Sequence, residues 1–379
     1  EYYTNGVNVD LSISGVQTIK VGDVDTINGI ENLIGGTVDD NLKGDGNNNS
    51  INGGSGNDTL QGRAGNDILN GSDGSDTADY SEAVGAGVKV NLYSTTKVVD
   101  AISGGSSGSD TLVSIENIIG TDYDDSFKGD SSVANTFNGG SEGHEVNGDT
   151  VDYSDLSSDQ DKIIANLYSG TINISVNGEG KPNDKIIDIE NVIGTGGDDT
   201  FTLNSDVNTI VGGAGSDLVK LNYQTTYGAV VDLGADVNYG TVTINGVEDR
   251  IVDVENIFGT SSNDTIRMKE GAIANSVDGA SGNSDTISYE HYTSGVSVNL
   301  GNVLAQTIIA TTEDVDTIVN IENLIGGSGD DTLTGSSLAN SINGGAGDDL
   351  IKVSDGSDIL NGGDNKDTVD YTTTTAITL

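Results

Sequence analysis

Asp349, Asp358 and Asp367 recur at nine-residue intervals in the run GGAGDDLIK, VSDGSDILN, GGDNKDTVD, which extends from Gly344 to Asp370. Each aspartate is the sixth residue of its unit, and two places later each unit has an apolar residue: Ile351, Leu360 and Val369. Carboxylates at this spacing, beside turns that expose carbonyl oxygens, make oxygen-only donor sets. Such sets suit a hard cation such as Ca²⁺. With no cysteine and two histidines, the chain has no means of building a thiolate or imidazole array.

The elements that must position these carboxylates follow from the remaining residues. Glycine reaches backbone angles closed to other residues, so the first six positions turn sharply. The last three, of the form x-U-x with U apolar, make a very short strand with one inward side chain. Two units then form one flattened coil, and successive coils stack at strand spacing, about 4.8 Å. Units i and i+2 lie above one another, so their aspartates converge on the gap between two turns. A solvated Gly/Asp linker would need no inward-facing period, yet the apolar ladder Leu333, Ile342, Ile351, Leu360, Val369 keeps one, as does Leu42, Ile51, Leu60, Leu69, Ala78.

The candidate ligands follow. In the first array Asp40, Asp58 and Asp76 share one edge, while Asp67 lies on the other with Asn49. In the last array Asp331, Asp349 and Asp367 share one edge, and Asn340 and Asp358 the other. Gly53, Gly56, Gly65, Gly74, Gly344, Gly347 and Gly356 supply the turns, and GGAGSDLVK at Gly212 adds a single unit with Gly215 and Asp217. Around Gly139 and Gly279 the pattern slips by insertion, so the firmest calcium sites are expected at the two ends.

The composition agrees. The 379 residues include 60 Asp+Glu against 15 Lys+Arg, a formal charge of −45, and 55 glycines. A compact globule with that charge repels itself, so folding is expected to be coupled to the binding of several Ca²⁺ ions. Nucleic acid is excluded as a partner, because the basic residues form no patch. No apolar run approaches transmembrane length, so membrane insertion is not expected.

A longer repeat contains the nonapeptides. Its anchor reads DTINGIENLIGGTVDD at Asp25 and recurs from Asp110, Asp184, Asp249 and Asp316. The anchor glutamates, Glu31, Glu116, Glu190, Glu255 and Glu322, are 85, 74, 65 and 67 residues apart. The differences fall outside the ungapped anchor, as a solenoid tolerates. One continuous β-solenoid of about five long repeats is therefore expected, approximately 1–79, 80–152, 153–222, 223–288 and 289–371, with 372–379 opening a further one. Each repeat also carries an alternating strand, such as Val88–Leu92 or Val296–Leu300. The recurrent Glu-Asn pair reads as a ladder closing a coil turn, since buried polar groups need partners. The junction tyrosines Tyr80, Tyr153, Tyr223, Tyr289 and Tyr371 read as packing residues, and His144 and His291 as surface residues. Tyr3–Leu11 and Tyr371–Leu379 share the pattern Y-T-x6-L, so the chain reads as whole periods of a longer array, or as a subunit stacking end to end.

The units GGSGNDTLQ at Gly53, GRAGNDILN at Gly62 and GGAGDDLIK at Gly344 resemble the RTX, or hemolysin-type, calcium-binding repeat family. The resemblance implies a parallel β-roll with Ca²⁺ in its turns. It also implies export through a type I channel of a Gram-negative bacterium, with folding outside the cell. The I-E-N-x-I-G anchors are similar to those of large bacterial surface proteins. The expected function is structural: a non-enzymatic unit of a surface layer, fibre or adhesin stalk, with end-to-end self-association or a longer polypeptide as its continuation and surface polysaccharide as a further partner. The alternatives are a module of a polysaccharide-active enzyme, or the repeat tail of a secreted toxin or protease.

Overall fold

An x-U-x triplet between two glycine turns has room for one strand of three residues, with its middle side chain turned inward. The computed structural model describes residues 5–92, 98–101, 108–141, 146–222, 226–234, 236, 238–271, 274–310 and 314–372. Among them the regular elements are all strands, most of them three to six residues long. Tyr223, His144 and the last seven residues of the chain lie outside the described residues.

The chain folds as two units, Glu1–Gly196 and Gly197–Leu379. In the first, one sheet stacks Asn8–Asp10, Asn41–Lys43, Thr59–Gln61, Thr77–Asp79, Asn117–Ile119, Thr136–Asn138 and Asp184–Ile187 in parallel. The facing sheet stacks Asn32–Ile34, Ser50–Ser55, Ile68–Asp73 and Ser109–Val113, and also Val88–Asn91, Ser126–Lys128, Thr150–Asp152 and Asn191–Ile193. The second unit repeats this plan. Thr200–Thr202, Leu218–Lys220, Asn256–Phe258, Ala274–Asp278 and Asp314–Val319 run parallel on one side. Ala229–Asp232, Thr265–Arg267, Thr286–Ser288, Asn323–Ile325, Ser341–Ala346 and Ile359–Asp364 form the other. The protein is an all-β, largely parallel β-roll.

The register has the expected period of two units. Leu42 is opposite Leu60, Leu60 opposite Ala78, and Ile51 opposite Leu69. Leu333 is opposite Ile351, and Ile342 opposite Leu360. These side chains fill the roll, with Ile51, Leu60, Leu69, Ala78, Leu333 and Ile351 wholly buried. Leu360 is half-buried and Val369 is 40% exposed, because their strands pair on one side only among the described residues.

The alternating strand of each repeat does not simply continue the parallel stack. Val88–Asn91, Val98–Ala101 and Ser109–Val113 form an antiparallel meander. So do Lys162–Asn166, Thr171–Val176 and Asp184–Ile187, and likewise Ala229–Asp232, Gly240–Ile244 and Val247–Val252. The spacer is too long for one coil and folds back on itself. Asn245-Gly246, both with positive φ (53° and 82°), form the tight hairpin turn that this dipeptide favours. The outer strands of each meander remain parallel to the coils beside them, as in Lys89 opposite Ser126 and Thr111 opposite Ile68. One antiparallel strand per repeat is thereby inserted into an otherwise parallel sheet.

Aromatic rings fill the wider parts of the first unit. Phe127 and Phe137, from facing sheets, stack with centroids 5.5 Å apart and are wholly buried. Truncating Phe137 to Ala is expected to cost about 3–5 kcal/mol, measured in saturating calcium as a lower denaturant midpoint at constant slope.

Candidate metal centre in the aspartate turns

The fourth-position glycine of a unit must pass close over the coil beneath it. Gly56 and Gly347 do so at φ of 121° and 128°, where a side chain would meet the backbone of Val38 and Gly329. Gly65, Gly74, Gly215 and Gly356 share this left-handed conformation. The first-position glycine plays a different part. A Cβ on Gly53 would collide with the Asp58 carboxylate, and one on Gly344 with both Asp349 Oδ2 and the Gly362 carbonyl oxygen. The space that glycine leaves is therefore bounded by a carboxylate of its own unit and, at Gly344, by a carbonyl of the unit two further on.

The aspartates form hydrogen-bonded ladders along the edges expected from the sequence. Oδ1 of Asp58 accepts the amide of Asp40 at 2.8 Å, and that of Asp76 accepts the amide of Asp58 at 2.8 Å. Asp67 takes the Asn49 amide at 2.7 Å on the opposite edge. In the last array Asp349 takes the amide of Asp331 (2.8 Å), Asp367 that of Asp349 (3.1 Å) and Asp358 that of Asn340 (3.0 Å). Asp217 takes the Asp199 amide at 2.8 Å, so the single middle unit stacks on an anchor rather than standing alone.

The second carboxylate oxygen divides the aspartates into two kinds. In Asp58, Asp67, Asp76, Asp217, Asp285 and Asp349, Oδ2 is buried and has no hydrogen-bond partner. An orphaned anionic oxygen in the interior is costly, and burial pushes these carboxyls upward. Asp58, Asp67 and Asp285 rise to about 6 and Asp217 to about 7. Burial is the largest cause in each, and neighbouring carboxylates add to it, such as Asp40 and Asp76 around Asp58. In Asp40 and Asp331 both oxygens are satisfied. Asp40 accepts the amides of Val7 and Gly36, and Asp331 those of Val296 and Gly327, both at 2.7 Å. Asp358 and Asp367 are only half-buried.

The donor set fits calcium. Orphaned carboxylate oxygens and main-chain carbonyls, with no nitrogen or sulfur, are what a hard cation binds. No three carboxylate or imidazole groups converge among the described residues. An ion here would instead draw on Oδ2 of Asp58, Asp67, Asp76, Asp217, Asp285 or Asp349 and on turn carbonyls such as that of Gly362. It would supply the positive charge that these turns lack. Replacing Gly344 by Ala puts a methyl group into that space and is expected to remove one ion per molecule, measured by calorimetric titration.

Sequence reasoning missed two parts of this arrangement. Asp285 escapes the nonapeptide pattern because the insertion near Gly279 breaks the glycine frame, although Asp-Thr-apolar, shared with Asp58 and Asp331, marks it from the strand side. The anchors also turn out to be modified nonapeptide pairs. Glu116, Glu190, Glu255 and Glu322 accept the amides of Asp76, Asp149, Asp217 and Asp285 at 2.8–2.9 Å, in the place of the next aspartate. The following asparagines bind the same turns, as Asn117 does at the Asp76 carbonyl. The Glu-Asn pair thus closes a coil turn. Of the junction tyrosines, Tyr80, Tyr153 and Tyr289 are buried and Tyr371 is exposed. His291 lies at the surface, with Nε2 2.9 Å from Asp232 Oδ1.

No helix among the described residues is long and apolar enough to cross a membrane. Comparison with curated proteins gave no match. A four-copy model of the RTX calcium-binding nonapeptide repeat matches residues 25–60, 43–78, 188–219, 320–337 and 334–369. These matches contain Asp58, Asp67, Asp76, Asp217 and Asp349, each with an orphaned oxygen. With motif, stacking register and donor chemistry in agreement, these segments of the chain are RTX calcium-binding nonapeptide repeats.

Proposed function

We propose that this chain is a calcium-stabilised structural segment of a bacterial cell surface or extracellular matrix, such as a surface layer, fibre or adhesin stalk, and that it folds on Ca²⁺ after secretion. RTX repeats are typical of secreted bacterial proteins. The observation that carries the reading is the row of buried, orphaned aspartate oxygens repeated through both units. In a calcium-poor cytosol these turns lack their counter-charge, and the chain stays extended enough for export. Outside, millimolar calcium supplies the charge and the roll closes. The acidic surface and the roll itself serve as scaffold, without a catalytic role.

Self-association or continuation in a longer polypeptide is the arrangement we favour for such a scaffold, and electron microscopy at millimolar calcium tests it. Filaments or lattices that dissolve on chelation support a self-assembling surface structure. Single particles at every concentration count against self-assembly and direct attention to the flanking sequence.

A further inference from the structure

We propose that three of the junction tyrosines, Tyr80, Tyr153 and Tyr289, take the place of calcium in their own turns, so that only some of the aspartate turns carry an ion. The proposal rests on the calcium reading of the nonapeptide turns and deepens it by stating which turns are exempt.

Asp110, Asp184 and Asp316 open three anchors, and each is buried. Asp110 and Asp184 occupy the ladder position of a nonapeptide aspartate. Oδ1 of Asp110 accepts the Asp67 amide at 2.8 Å, and Oδ1 of Asp184 the Asn135 amide at 2.8 Å. Asp316 Oδ1 accepts the Asn275 side-chain amide at 3.3 Å. The difference lies at Oδ2. In Asp67 that oxygen is orphaned. In Asp110 it accepts the Tyr80 hydroxyl at 3.1 Å, in Asp184 that of Tyr153 at 2.7 Å, and in Asp316 that of Tyr289 at 2.9 Å. The three tyrosines are 3%, 4% and 0% exposed, so water does not compete for these bonds.

A phenol donating to a carboxylate points its proton at the oxygen a cation would need, and its ring fills the space behind it. At two of the three aspartates the glycine turn is also missing. Asp184 follows Lys181-Pro182-Asn183 and Asp316 follows Glu313-Asp314-Val315, neither of which is a glycine turn. These junctions are where the antiparallel meander interrupts the stack. A covalently attached donor there closes the turn without depending on the geometry of two coils.

The test is the calcium content of the full chain, measured by elemental analysis after dialysis against saturating calcium. D58N, D217N and D349N are each expected to lose one ion relative to the parent. D110N, D184N and D316N are expected to keep the parental count. An ion lost from any of the second set overturns the proposal. If the first set also keeps the full count, the calcium assignment of the open turns fails, and this proposal fails with it. Should a D→N variant not fold, Y80F, Y153F and Y289F decide independently. Deleting a stand-in hydroxyl keeps the count or raises it by one per turn, whereas a lower count would show that the hydroxyl is itself a ligand.

Discussion

Excess chelator added to the folded protein is expected to abolish its strand signal, and returned calcium to restore it. The magnitude follows from linkage. A ligand at a hundredfold its dissociation constant stabilises the folded state by about 2.7 kcal/mol per site. About six turns with an orphaned oxygen then contribute on the order of 15 kcal/mol, as much as the whole stability of an ordinary domain, about 5–15 kcal/mol. Without the ions, the buried carboxylates and a formal charge of −45 oppose folding. Far-ultraviolet circular dichroism during a chelator titration reads the effect, with hydrogen exchange locating it. Magnesium is the informative control: it holds its waters and demands octahedral geometry, so it should restore much less. Strand signal that persists in excess chelator would falsify the coupling.

The second large effect is a dependence on pH that changes sign with calcium. In the metal-free fold, burial raises Asp58, Asp67 and Asp285 to about 6 and Asp217 to about 7, while the unfolded chain titrates near 3.8. Between about pH 4 and 7 the folded form therefore holds more protons than the unfolded form, and its stability falls as pH rises. Acidifying the calcium-free chain from pH 7.5 to about 5 should recover part of its strand structure. With calcium present, protons and ions compete for the same oxygens, so the apparent calcium affinity should weaken as pH falls through about 7 to 6. Calorimetric titrations at three pH values, paired with dichroism of the calcium-free chain, test both signs. Calcium-free stability that rises between pH 5 and 7.5 would mean that these carboxylates are not buried as charges.

Much of the fold was legible in one dimension. The nine-residue spacing of Asp349, Asp358 and Asp367, with Ile351 and Leu360 two places behind the first two, determined that units i and i+2 stack. The pairing of Leu333 with Ile351 and the hydrogen bond from Asp331 to Asp349 realise that expectation. The reason is local: a glycine turn and a three-residue strand admit one coil length, so the register is a property of each unit. The sequence by itself also determined the donor chemistry, because a chain with no cysteine, two isolated histidines and 60 acidic residues can build its repeated sites only from oxygen.

Which carboxylates remain open to an ion was decided only in three dimensions. Asp67 and Asp110 look alike along the chain and make the same amide hydrogen bond, yet a hydroxyl 30 residues away closes one and not the other. The glutamates that cap Asp76 and Asp217 arrive from 40 and 38 residues downstream, across spacers of unequal length. The antiparallel meanders lie in those same spacers. No fixed spacing encodes such partners, because insertions change the distance along the chain while the roll keeps the distance in space. Periodicity determined where the regular turns stand, and tertiary packing determined which of them lacks a partner and so has a place for calcium.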